Sequence, residues 1–196
     1  MRHSVRHVAL AVLVAACSQP PVTTVPVATA PVNPPPAAAR PVARSAASFR
    51  TATATIRDAA GARVGAATFT DSFAGLLIAG SVEGLGIGAH GIHVHETGKC
   101  DAPFTTAGGH FNPEKHHHGF KNPDGPHLGD LPNIDVPASG TLRFEFVLPN
   151  VTLRGANALL DADGASIVVH STRDDFLTDP AGNSGPRLAC GVILPS

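Results

Sequence analysis

The chain has 196 residues, with no Trp, no Tyr, one Met, 20 Gly and 18 Pro. That is room for one domain with appendages, built from short strands and turns rather than long helices. All 15 acidic residues lie after residue 47 with 10 of the 14 Lys and Arg, a net −5, and this acidic balance excludes a basic nucleic-acid-binding domain.

In chain order, Arg2 and Arg6 precede a short apolar run over residues 8–16 that ends in small side chains. This predicts a secretory leader over residues 1–16, too short to span a bilayer. Val14-Ala15-Ala16-Cys17 resembles the bacterial lipobox, so Cys17 is expected to be lipidated and to begin the mature chain. An ordinary leader with an incidental Cys is the alternative. Ser18, rather than Asp, follows the Cys, which by resemblance to bacterial lipoproteins points to the periplasm and an anchor in the outer membrane. The rest of residues 17–47 is a Pro- and Ala-rich linker. It favours extended polyproline II at about 3.1 Å per residue and reads as a spacer.

A domain is expected over residues 48–196. Residues 49–56, 66–73 and 141–148 alternate polar and apolar, and 87–95, 166–170 and 188–194 are further strand-like runs. Gly, Pro, Asn and Asp clusters separate them, and no helical period is sustained. Residues 97–139 form a long irregular stretch rich in His, Gly and Pro. A loop of that length is uncommon in a domain unless it is functional, and a bound ion can organise it.

The segment His90-Gly91-Ile92-His93-Val94-His95 carries the chemistry. On a strand, His93 and His95 project to one face and Val94 to the other. Two imidazoles on one rigid face are half of a transition-metal site. Further histidines at 110, 118, 127 and 170, with Asp130, supply enough nitrogen and carboxylate for two metals. Such donors suit zinc and copper rather than calcium or magnesium. The eleven histidines sit at separate spacings, unlike an appended tag. His116, His117 and His118 are adjacent, and composition does not choose among them.

The chain from about residue 48 resembles the copper, zinc superoxide dismutase family. The resemblance is carried by His90-Gly91-Ile92-His93-Val94-His95-Glu96, Gly109-His110-Phe111-Asn112-Pro113, His127-Leu128-Gly129-Asp130-Leu131 and Gly185-Pro186-Arg187-Leu188-Ala189-Cys190-Gly191-Val192-Ile193. It implies an all-β fold, an eight-stranded antiparallel Greek-key barrel or sandwich with long metal-binding and electrostatic loops. It implies copper on His93, His95, His110 and His170, with His110 bridging to a zinc held also by His118, His127 and Asp130. The family spacing from His110 selects His118, leaving His116 and His117 as exposed loop residues. His90 fits a structural imidazole bonded to backbone. Asp174, with Asp175 beside it, matches an aspartate that orients His93 and His118. Arg187 matches a cation that guides a small anion, and Cys100 and Cys190 match a disulfide.

The activity implied is dismutation of superoxide to dioxygen and hydrogen peroxide, with His110 and Arg187 as the residues acting on substrate. The expected partners are superoxide, no nucleic acid, and a membrane only through the lipid. Monomer and homodimer both remain open. A copper-handling protein without fast turnover and a copper-only enzyme are the rival readings. The full complement of copper-side histidines speaks against the first, and the zinc-side residues against the second.

Overall fold

The computed structural model describes residues 49–196; the expected leader, Cys17 and the linker lie outside the described residues. On β1 (Thr51–Asp58), Ala52, Ala54 and Ile56 are buried while Thr51, Thr53 and Thr55 are exposed. That is the period of two expected of a strand with one wet face. β2 (Arg63–Ser72), β3 (Gly75–Glu83) and β7 (Thr141–Leu148) follow in the same antiparallel sheet. β3 was not legible from alternation, because Leu76, Leu77 and Ile78 run consecutively. Leu76 and Ile78 face the core, and Leu77 lies half-buried on the other side.

Two runs read as single strands are each divided. Residues 87–95 break at Gly91 into β4 (Gly88–His90) and β5 (Ile92–His95). Gly91 instead gives its N–H to Thr172 and its carbonyl to the His170 N–H. β4 pairs with β6 (Ile134–Val136), a short strand inside the stretch expected to be irregular, whereas β5 pairs with β8 (Ser166–His170). Residues 188–194 lie in β9 (Arg187–Val192) and β10 (Leu194–Pro195), parted where the Ile193 N–H bonds to Ala165.

The main sheet has eight strands, ordered β5-β8-β9-β1-β2-β3-β7 with β10 paired to β1, and it curls into a half-barrel. β1, β2 and β3 are sequential neighbours. The chain then crosses to the far edge for β5, returns for β7 and crosses again for β8, which makes the topology Greek-key rather than a meander. The main core joins Ile56, Phe69, Ile78, Val94, Ile167 and Ile193 among others.

The site depends on the opposite face of β5, β8 and β9. Directly paired residues share a face. His93 opposes Val168, His95 opposes Ser166, Val168 opposes Cys190 and His170 opposes Arg187. This face is roofed by its own small apolar cluster of Phe104, Ala107, Val168 and Cys190. β5 ends the strand order, and the long loop covers its open edge. Phe111 N–H donates to the Val94 carbonyl, Val94 N–H to Gly129 and Gly129 N–H to Phe111, all at 2.8–2.9 Å. Covering an edge in this way removes unpaired backbone groups. Here it also delivers residues 110–130 to the histidine face.

Candidate metal centre

His93 and His95 alternate with Ile92 and Val94 on β5, and His170 ends β8 on the same face, at a register shift between Val169 and His170. A bulge there re-aims the strand end. His110 comes from the covering loop, bridged to His95. One nitrogen of each of these four rings lies within 4.8 Å of the others.

The outward nitrogens set the ring orientations. His93 Nε2 donates to Asp174 Oδ2 at 2.7 Å, His95 Nδ1 to the Gly108 carbonyl at 3.1 Å and His170 Nδ1 to the Gly185 carbonyl at 3.1 Å. His110 Nδ1 faces Asp130 Oδ1 at 2.8 Å. Carbonyls and carboxylates only accept, so the opposite ring nitrogen keeps its lone pair. Those nitrogens, His93 Nδ1, His95 Nε2, His110 Nε2 and His170 Nε2, are buried without a hydrogen-bond partner. A buried orphan costs about 1–3 kcal/mol. Four converging lone pairs fit a borderline-soft cation such as copper.

A second group shares His110. Asp130 Oδ1 lies 2.8, 3.1 and 3.4 Å from Nδ1 of His110, His118 and His127, and the His110 and His127 Nδ1 atoms are 3.4 Å apart. Tetrahedral zinc with bonds of about 2.0–2.1 Å needs donor separations of roughly 3.4 Å, so this cage fits zinc. Asp130 Oδ2 is committed elsewhere. It accepts the backbone N–H of Gly119 at 2.9 Å and of His127 at 3.0 Å, which leaves Oδ1 to face the rings.

Asp174 links the two groups, taking His93 Nε2 on Oδ2 and His118 Nε2 on Oδ1 at 3.0 Å. It is buried, whereas Asp175 is only half-buried and caps a turn through the N–H groups of Leu177 and Thr178. Two contributors went unread in the sequence. Asn133 clamps the Asp174 backbone, donating Nδ2–H to its carbonyl and accepting its N–H at Oδ1. Nothing in the sequence marks Asn133. Gly182, at φ +62, passes so close that a Cβ there would run into Asp174 Oδ1 and His118 Nε2; its signal was a Gly in a loop and no more.

The remaining residues are placed as follows. His90 sits outside both groups, with its two ring nitrogens each 2.8 Å from a backbone carbonyl oxygen, those of His170 and Gly86. His116 and His117 are exposed. Arg187 donates to the carbonyls of Phe104 at 2.5 Å and Gly108 at 2.6 Å. It lines a cavity of about 390 Å³ with His110, His127, His170, Glu96 and Asp179. Cys100 and Cys190 are disulfide-bonded, with Cα atoms 5.6 Å apart.

The sequence profile of the family described as copper/zinc superoxide dismutase (SODC) matches residues 63–193. The chain belongs to that family. A Cu-Zn superoxide dismutase of Caulobacter vibrioides is 46% identical over 147 residues, 72% of this chain and 84% of the relative. One from Aquifex aeolicus is 44% identical over 137 residues, 68% of this chain and 81% of its own. Among solved structures, a SOD-like protein from Bacillus subtilis superposes with a TM-score of 0.70 at 39% identity, covering 72% of this chain and 97% of that one. The Cu/Zn superoxide dismutase from Brucella abortus gives 0.60 at 30% identity, covering 72% and 98%. Superoxide dismutation is the reaction of this chain, and copper and zinc are its cofactors.

The electrostatics of this superoxide dismutase oppose one another across the site. Burial drives the His93 imidazole down to about 3 and His170 to about 4, and lowers His95 and His110. Burial also pulls on His118, but hydrogen bonds to Asp130 and Asp174 outweigh it and raise this ring to about 9. Burial works against both carboxylates too, and their histidine partners still hold them well below the usual carboxylate range. In metal-stripped protein the lowered histidines contribute stability that is present above about 6.5 and lost as pH falls through their folded values. The raised His118 contributes below about 6.5 and loses it as pH rises through about 9. Urea midpoints of the stripped chain are therefore expected to peak near pH 6.5, with the steeper fall on the acid side. His170 alone accounts for on the order of 3 kcal/mol of that fall. A midpoint independent of pH between 4 and 9 would overturn this account.

Proposed function

We propose that His93, His95, His110 and His170 hold copper, that His110, His118, His127 and Asp130 hold zinc, and that His110 serves both. The observation that carries the assignment is the set of four buried ring nitrogens, each left with its lone pair inward because its ring partner is bonded outward. When bound, copper supplies one-electron redox chemistry that the side chains lack. The chain's residues do the rest. His110 holds and releases a proton at Nε2, while Asp130 and the zinc cage fix its Nδ1 side. Two protons are consumed per hydrogen peroxide formed, one from His110 Nε2 and one from water in the mouth cavity. Asp174 keeps His93 and His118 in register. Elemental analysis of chain loaded with both metals is expected to give near-equal copper and zinc together with superoxide-dismutating activity. Copper without zinc would move the chain to a copper-only reading.

Arg187 is the substrate-guiding residue in this reading. The net negative charge of residues 48–196 repels an anion, so attraction has to be local. Fields are screened over roughly 8–10 Å at physiological salt, which gives weight to a cation lining the mouth. Arg187→Ala is expected to lower kcat/KM about tenfold with both metals bound, and Arg187→Glu further. Full activity of Arg187→Glu at normal metal content would remove Arg187 from this role.

Residues 48–196 are the catalytic domain in this proposal, with residues 1–16 a cleaved leader and 17–47 a tether. A lipidated Cys17 would anchor the enzyme at the outer membrane, facing the periplasm. Support comes from the lipobox-like tetrapeptide and the short apolar run. Stable anchoring takes more than one acyl chain, so the mass of the native N-terminus decides it. An unmodified Cys17 or Ser18 there removes the anchor and leaves the enzyme untouched.

A further inference from the structure

The zinc-side rings have nitrogens that point away from the cage, and these find different partners. His110 turns Nε2 into the copper-side group, and His118 gives Nε2 to Asp174. His127 has Nδ1 in the cage and Nε2 directed outward, where Asp179 Oδ1 stands 3.8 Å away. That same oxygen accepts the backbone N–H of His118 at 2.6 Å. Asp179 Oδ2 lies 3.7 Å from Nδ1 of the exposed His117. The Asp179 side chain is 44% exposed, so its charge is open to screening. It is set on the same loop as Asp174, at the mouth cavity that His127 also lines.

The geometry points to Asp179 as a positioning residue for His127: its carboxylate orients and polarises that ring from outside the cage while tying it to the His118 backbone. This rests on the zinc assignment proposed above. A ring bound to a cation through Nδ1 has a more polar Nε2–H, which a facing carboxylate stabilises. Removing an outer partner hydrogen-bonded directly to a metal-bound ring typically costs 10–100-fold in metal affinity, and a longer contact belongs at the low end of that range. At 3.8 Å the contact is beyond a direct hydrogen bond; it acts as charge on dipole and weakens with salt. The bond to the His118 N–H is a separate task, and a neutral amide oxygen can perform it.

Asp179→Asn separates the two tasks, because it keeps an oxygen acceptor and removes the charge. The test is competition for the first equivalent of zinc between a chelator and the full chain, at low and at about 1 M salt. Asp179→Asn is expected to bind zinc roughly tenfold more weakly than wild type at low salt, with the gap closing at high salt. Thermal unfolding of its metal-stripped form stays within about 2 °C of wild type, and Asp179→Glu recovers most of the affinity. Asp179→Ala, which lacks the acceptor too, loses both affinity and metal-free stability. Wild-type zinc affinity in Asp179→Asn at low salt, or a deficit that salt does not narrow, overturns the inference and leaves Asp179 a backbone cap. His127→Ala runs in the same titration and is expected to lose at least 100-fold. Wild-type affinity in that variant would overturn the zinc assignment itself, whatever Asp179→Asn does.

Discussion

Replacing His110 by alanine is expected to abolish superoxide dismutation, with a fall of more than 100-fold, and to weaken both metals at once. His110 is the residue common to the two donor groups, so its loss leaves three donors on each side. It also strips Asp130 of its nearest partner, the ring nitrogen at 2.8 Å. A buried carboxylate that loses a hydrogen-bonding partner destabilises its surroundings by several kcal/mol unless it takes up a proton. That proton would remove the charge a zinc cage needs. His127→Ala is the informative companion, because His127 belongs to the zinc group alone. It is expected to lose zinc first and keep more copper. His116→Ala, altering an exposed ring outside both groups, changes activity by less than about twofold on the usual scale of surface substitutions. The measurements are copper and zinc content and turnover of superoxide on the same preparations. Retention of both metals with more than a tenth of the activity in His110→Ala would dismantle the shared-ligand reading.

The second large effect lies in stability. Replacing Cys100 and Cys190 by alanine is expected to lower Tm by roughly 10–15 °C in metal-loaded protein. The disulfide closes a loop with a sequence separation of 90, and chain-entropy arguments put such a closure at about 4–5 kcal/mol. A scanning calorimeter reads it directly, and a shift under about 3 °C would show that the loop is held chiefly by other means. The other ties are visible. Thr97 N–H donates to Ala107, Glu96 N–H to Gly109 and Gly98 N–H to Asp163. Through them the site survives loss of the covalent link in part. The carbonyls of Phe104 and Gly108, which hold Arg187 and His95, ride on the segment that the disulfide pins. A drop in kcat/KM milder than that of Arg187→Ala is therefore expected in the same variant at 25 °C.

Much of the sheet was legible because alternation is a local property. Thr51 to Ile56 and Thr141 to Leu148 state their two faces residue by residue. β3 hid because consecutive Leu76, Leu77 and Ile78 fill both faces. β4 and β5 looked like one strand because their difference lies in partners: Ile134–Val136 for one and Ser166–His170 for the other. No window of sequence contains those partners.

The amino-acid sequence by itself determined the inventory of the site. It places two imidazoles at strand spacing on 93 and 95, carries further donors at 110, 118, 127, 130 and 170, and sets motifs in the order of a known family. The tertiary structure alone decided which nitrogen of each ring faces inward. That choice is made by an outward acceptor: Gly108 for His95, Gly185 for His170 and Asp174 for His93, the last 81 residues away. It also buries His118 and exposes His116 and His117, in line with the family spacing from His110, and it buries Asp174 while leaving Asp175 half-buried on a turn. Residue type and spacing are written along the chain. Ring orientation, burial and the Asn133 clamp on Asp174 arise from contacts between segments far apart in sequence, which exist only once the sheet has curled and the loop lies on its edge.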